Sequence, residues 1–249
     1  MTDGTGAGAA FHATIEAMSH TVDAPGHPEV RITAGSGSVT VVAEARADVV
    51  AEGDVDIHRS DDGAFEVAPR SRSRSLRVHC PEGSAVMIGT RSGSLRLEGR
   101  LGAVRATTIS GSIHVAWAAT ADLRAMSGKI TVDRCDGSCR IKTKSGSTGV
   151  GAAGAVEITI GSGSVRVDHV DAGARVRAVS GSVHVRAGGN GPLEVETMSG
   201  SITIELPAGC RADVRAKSMT SRPRIECERG DDCRVTARTM SGGITVRAG

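Results

Sequence analysis

The chain has 249 residues, a formal charge of +2, 33 Gly, 2 Phe, 1 Trp and no Tyr. So small a charge leaves no global field to gather nucleic acid or an anionic membrane, and a core without aromatic side chains cannot fill the irregular space between packed layers. Such a composition suits a narrow, repetitive core of Val, Ile, Leu and Ala.

The first residues, MTDGTGAGAAFHATIEAMSH, carry neither a basic n-region nor an apolar h-region and so do not read as a signal peptide. No apolar run approaches the ~20 residues that cross a bilayer. A cytoplasmic location without direct membrane insertion is expected, where the cysteines Cys80, Cys135, Cys139, Cys210, Cys227 and Cys233 stay reduced. Residues 1–30 read as an extension or cap, with weak helical periodicity only from Phe11 to Met18.

Residues 31–91 read as irregular first coils. GDVDIHRSDDGAFEVAP places two strands around the turn Asp61-Asp62-Gly63, a hairpin signal. Phe65 lies here, Phe11 precedes it and Trp117 follows, and larger side chains at one end suit a cap over the terminal coil. PRSRSRSLR puts Arg70, Arg72 and Arg74 on one strand face. That face is either a phosphate-binding stripe or a solvated surface that resists edge aggregation. No aromatic is interleaved for base stacking, so nucleic acid is not an expected partner.

Residues 92–249 are regular. Ser-Gly pairs fall at Ser92, Ser110, Ser127, Ser145, Ser162, Ser180 and Ser199, with spacings of 18, 17, 18, 17, 18 and 19. Another pair lies at Ser241, a degenerate copy fits at Ser218, and Ser36 precedes Ser92 by 56 residues, about three periods. Apolar residues recur three and five positions after the Ser, as in Ile113 and Val115, and four before it, as in Leu123 and Ile141. A period of 2 holds on each side, but its parity flips across Ser-Gly. The Gly therefore marks a corner, where positive φ costs Gly nothing and Ser hydroxyls can satisfy backbone groups.

A second corner follows in most copies, for example at Asp136-Gly137 and Pro207-Ala208-Gly209. The spacing predicts an all-β, single-stranded parallel β-solenoid (β-helix) of about 18 residues per coil, its coils ~4.8 Å apart. The crossover rule makes it right-handed. The last stretch, TMSGGITVRAG, ends three residues beyond its last apolar strand position. An open terminal coil is expected there, with Ile244, Val246 and Arg247 as its interaction residues.

No chemistry is named. His114 and His184 share one outward position but lie four coils apart, about 19 Å, too far to ligate one metal. The cysteine spacings lack a zinc-finger partner pair, and Cys139 occupies an inward slot as a small hydrophobe. Met126, Met198, Met240, Ile109 and Val179 sit just before their Ser, either packed into the corner or forming an exposed apolar row. Catalytic motifs such as G-x-S-x-G, a P-loop or H-E-x-x-H are absent. No catalytic, cofactor or metal residue is assigned, and no enzyme activity is expected.

The iterated SGS-apolar-x-apolar pattern, with Pro-x-Gly turns at CPEG (Pro81, Gly83) and LPAG (Pro207, Gly209), resembles the putative-adhesin β-strand repeat family of unknown function, which includes LiaG-like bacterial proteins. The resemblance spans roughly residues 30–249. It implies a β-solenoid and supplies no catalytic residues. Together these features point to a non-enzymatic structural scaffold that self-associates or docks a partner through its open C-terminal coil and its surface. The alternative is a binding module that recognises a protein or an envelope component along its long face.

Overall fold

The computed structural model describes residues 19–24, 26–70 and 75–249, and every regular element among them is a strand. The Phe11–Met18 periodicity lies outside these residues. The chain enters through β1 (Ser19–Asp23), β2 (Glu29–Ser36) and β3 (Val39–Glu44). The irregular segment forms β4 (Asp48–Glu52), β5 (Val55–Arg59), β6 (Phe65–Pro69) and β7 (Leu76–Pro81). The regular coils follow as β8 (Ala85–Ser92), β9 (Leu95–Ser110), β10 (Ile113–Ser127), β11 (Ile130–Ser145), β12 (Thr148–Ser162) and β13 (Val165–Ser180). The chain closes with β14 (Val183–Ala187), β15 (Leu193–Ser199), β16 (Ile202–Leu206), β17 (Ala212–Ser218), β18 (Arg224–Glu226), β19 (Cys233–Ser241) and β20 (Ile244–Ala248).

The middle coils obey the repeat. Strands β8 to β13 pair in parallel with Ser92, Ser110, Ser127, Ser145, Ser162 and Ser180 in one column. The apolar positions that flank each Ser, such as Ile113, Val115, Leu123 and Ile141, are fully buried. The molecule is therefore a parallel β-solenoid with a core only a few side chains wide. Trp117 does not belong to a cap. It projects from β10 in mid-stack, its ring between the guanidinium groups of Arg100 at 4.5 Å and Arg134 at 5.0 Å. Its indole N–H donates to Asp136 at 2.9 Å. An outward parity position and two cations from neighbouring coils hold it there.

The corner is tighter than positive φ alone requires. Nine glycines, from Gly37 through Gly93, Gly111, Gly128, Gly146, Gly163, Gly181 and Gly200 to Gly242, stack in a column with φ between +126° and +146°. A Cβ on any of the later eight would lie 1.7–2.1 Å from the carbonyl oxygen of the glycine before it in the column. The N–H of each but Gly242 in turn donates to the Ser carbonyl of the next coil, as from Gly111 to Ser127 at 3.2 Å. Beneath the corner, Thr108, Thr143, Thr197 and Thr239 are buried, and each donates its hydroxyl to the Ser carbonyl two residues on. A buried hydroxyl needs such an acceptor.

Both ends depart from the simple order of the chain. At the N-terminal end Ser36 pairs directly with Ser92, and β3 pairs with β9. The 55 residues between the two serines thus insert no coils there. They fold outward instead: β6 and β7 stack on the outer sides of β2 and β3, β5 forms the expected hairpin with β6, and β4 runs antiparallel between β7 and β1. Phe65, Val49, Ala51 and Val55 are buried under this cover.

The C-terminal end repeats the device and overturns the expected open coil. Ser199 pairs with Ser241, so β19 lies on β15 and β20 on β16. The intervening β17 and β18 stack outside them, on β19 and β20. Ser218 pairs with Thr239, two residues off the Ser column, and is no repeat corner. The last coil in the chain is thus the second-to-last in the stack.

Candidate interaction surface at the C-terminal end

The outermost coil is built from ADVRAKS in β17 and RIE in β18. Its inward positions carry small or sparse apolar groups, so it covers β19 and β20 incompletely. Val214, Ala216 and Cys227 are only half-buried, and Ile225 is 46% exposed. A cavity of about 420 Å³ opens between the two strands, lined by Ala212, Val214, Ile225, Cys227 and Arg229 among others. No described strand pairs with the outer edge of β17 or β18. Unpaired edges of this kind are templates for further pairing.

The glycine column ends under this coil in side-chain hydroxyls. Gly242 donates its N–H to Oγ1 of Thr220 at 3.1 Å, and its carbonyl accepts from Ser218 at 2.9 Å and Ser221 at 2.7 Å. These groups satisfy the backbone of the last corner without another Ser-Gly pair. Beside it, Val179, Met198 and Met240 project in successive coils, each about half exposed, and Met219, 73% exposed, follows just past the Ser218–Thr239 pair. The apolar residues just before the Ser are therefore exposed and not packed into the corner, with Val179, Met198 and Met240 in a row and Ile109 and Met126 set apart from them by Lys144 and Gly161.

The residues expected to form the interface fall elsewhere. Ile244 and Val246 are buried, flanked by Ile202 and Ile204 of β16, while Ile225 of β18 lies opposite Val246. Arg247 is held in place by Glu205, which also accepts from Arg186 at 2.7 Å. The hydrogen bonds from Arg247 and then Arg186 hold the Glu205 carboxyl at a pKa of about 2. Arg70 pairs with Asp56 at 2.6 Å at the opposite end of the solenoid. Arg72 and Arg74 lie outside the described residues. The signal that finds the surface is the missing glycine after Ser218, where Met219 stands.

A second concave surface crosses the side of the stack. It is a groove of about 470 Å³ over β8 to β12, lined by small residues such as Ala103 and Ser138 and by Arg105, Asp122, Arg140 and Glu157 among others. Arg140 and Glu157 neutralise one another at 2.9 Å. Among the described residues, no group of three or more His, Cys, Asp or Glu side chains is arranged to hold a metal ion. Among the same residues, no helix is long and apolar enough to cross a membrane.

The model of the family described as Toastrack DUF4097 matches residues 148–247, from the start of β12 into β20. The matched residues are thus similar to a toastrack domain, and they take in β17, β18, β19 and most of β20 at the C-terminal surface. Solved structures similar to this chain include a putative adhesin from Parabacteroides merdae, 11% identical with a TM-score of 0.48, covering 95% of this chain and 97% of that one. A second, from Parabacteroides distasonis, is 12% identical with a TM-score of 0.40, covering 93% and 96%. A third, from Bacteroides fragilis, is 9% identical with a TM-score of 0.37, covering 93% and 98%. No curated protein matches this chain.

Proposed function

We propose that the protein is a non-enzymatic scaffold that pairs with a second copy of itself through the coil formed by β17 and β18. One observation carries this reading. The N-terminal end is sealed by antiparallel strands over fully buried Val49 and Ala51, while the C-terminal end leaves Val214, Ile225 and Cys227 around an open cavity. Ends that differ in this way favour a closed pair, in which the same end of each copy meets, over a head-to-tail filament that must join unlike ends. The row of Val179, Met198, Met240 and Met219 extends the same apolar rim along the corner.

The test is light scattering behind size exclusion over a concentration series, on the intact chain and on Ile225→Lys. The expected result is a mass that rises from 25.4 kDa towards twice that value, lost in the variant while its melting curve is unchanged. A wild-type monomer at every concentration would sink the reading.

The groove over β8 to β12 favours a second reading, recognition of an extended ligand along the side of the stack. Ile225→Lys lies outside that groove and would leave such binding intact.

A further inference from the structure

Two thiols meet at the base of the outermost coil. Sγ of Cys210 and Sγ of Cys233 are 3.1 Å apart, in a buried contact between residues 23 positions apart in sequence. Cys210 ends the Pro207–Gly209 turn, and Cys233 opens β19. Everything between them, residues 211–232, is the outermost coil. A bond between these sulfurs would therefore close that coil into a ring and fasten its root to the strand beneath.

We infer that Cys210 and Cys233 form a disulfide modification site that staples the C-terminal coil shut under oxidising conditions. The oxidant is a low-molecular-weight disulfide of glutathione type. The thiolate of one cysteine attacks it and releases one small thiolate, leaving a mixed disulfide on the protein. The second cysteine, deprotonated, attacks the protein sulfur of that mixed disulfide and releases the other small thiolate. Two electrons pass from the cysteine pair to the oxidant. Each released thiolate takes up one of the protons the two cysteines gave up, so the protein loses two hydrogens.

The neighbours fit this assignment. Cys227 faces the end cavity, half-buried, and is the third thiol of the cluster. Burial and the adjacent Cys210 push the Cys233 thiol up to about 12, so exchange runs faster as the pH rises. Cys80 is buried at the far end, with no thiol partner. Cys135 and Cys139 are a second close pair, but both belong to β11, with Cys135 directed at the carbonyls of Ser138 and Ala119. A bond there would tie one strand to itself and fasten no coil.

The experiment treats the full chain with oxidised glutathione across pH 7 to 9, then alkylates the remaining thiols. Intact mass and non-reducing peptide mapping follow, on wild type, Cys210→Ser and Cys135→Ser. The expected product loses about 2 Da, links Cys210 to Cys233, leaves Cys227 alkylated, and forms in Cys135→Ser but not in Cys210→Ser. Closing this loop raises the melting midpoint by about 5–10 °C, reversed by reductant. Six alkylated cysteines after oxidation, or a link confined to Cys135–Cys139 or to Cys227, would overturn the assignment.

Discussion

Gly146→Ala lowers the melting midpoint of the protein by at least about 10 °C, which corresponds to about 4 kcal/mol or more in a chain of this size. Two effects combine. Gly146 has φ of +126°, a conformation that strains any side chain by about 1–3 kcal/mol. A Cβ at that position would also lie 1.9 Å from the carbonyl oxygen of Gly128. Relief requires the two coils to separate, and separation breaks the hydrogen bond from Gly128 to Ser145 and loosens the apolar layers on either side. Gly149, in the next strand, is the control. Its φ lies outside the left-handed region and a Cβ there meets nothing within 4 Å, so Gly149→Ala changes stability by at most about 1 kcal/mol, in the stabilising direction. Circular dichroism melts of the two variants separate the effects, and equal melting points would remove the glycine column from the account of stability.

Ile244→Lys unfolds the C-terminal coils. Ile244 is 1% exposed and packs beside Ile202 in the coil below. Burying an unpaired ammonium there costs several kcal/mol, and the chain escapes that cost only by opening β20 to water. The expected loss is about 4 kcal/mol or more, again about 10 °C in the melting midpoint. Ile225→Lys, on the coil that does face solvent, stays within about 0.5 kcal/mol of wild type, as surface substitutions do. Were β20 the open edge, Ile244→Lys would melt like wild type.

The repeat, the parallel stacking and the inward set of side chains were all legible, because a two-residue period with a parity flip allows one packing only. The corner glycines at Gly111 and Gly128 were legible as turn residues. Their second reason, a carbonyl oxygen too close for any Cβ, depends on the neighbouring coil and leaves no trace within one repeat.

The stack order was misread for the same cause. Register specifies which residues align, not which coil lies next, so Ser36 and Ser92 could stand three coils apart or touch. The glycine column decides it. A coil placed between Ser199 and Ser241 would have to fit against the Gly181–Gly200–Gly242 column, and the segment around Ser218 offers Met219 instead of Gly. That coil goes to the end, and Ser241-Gly242 takes the interior place. Residues 42–91, which also lack a Ser-Gly corner until Ser92, are displaced at the other end in the same way. The contact between Cys210 and Cys233 follows from this displacement and could not be read from their spacing.

The most direct measurement is hydrogen exchange by mass spectrometry on the wild-type chain across a dilution series, comparing residues 244–248 with 212–226. The displaced order predicts slow exchange at 244–248 at every concentration, because β20 is paired on both sides. At 212–226 exchange is fast in dilute protein and slows on concentration, as a second copy covers β17 and β18. Exchange at 244–248 as fast as at 212–226 in dilute protein would contradict the stack order. Exchange at 212–226 that ignores concentration would contradict the pairing of copies through this end.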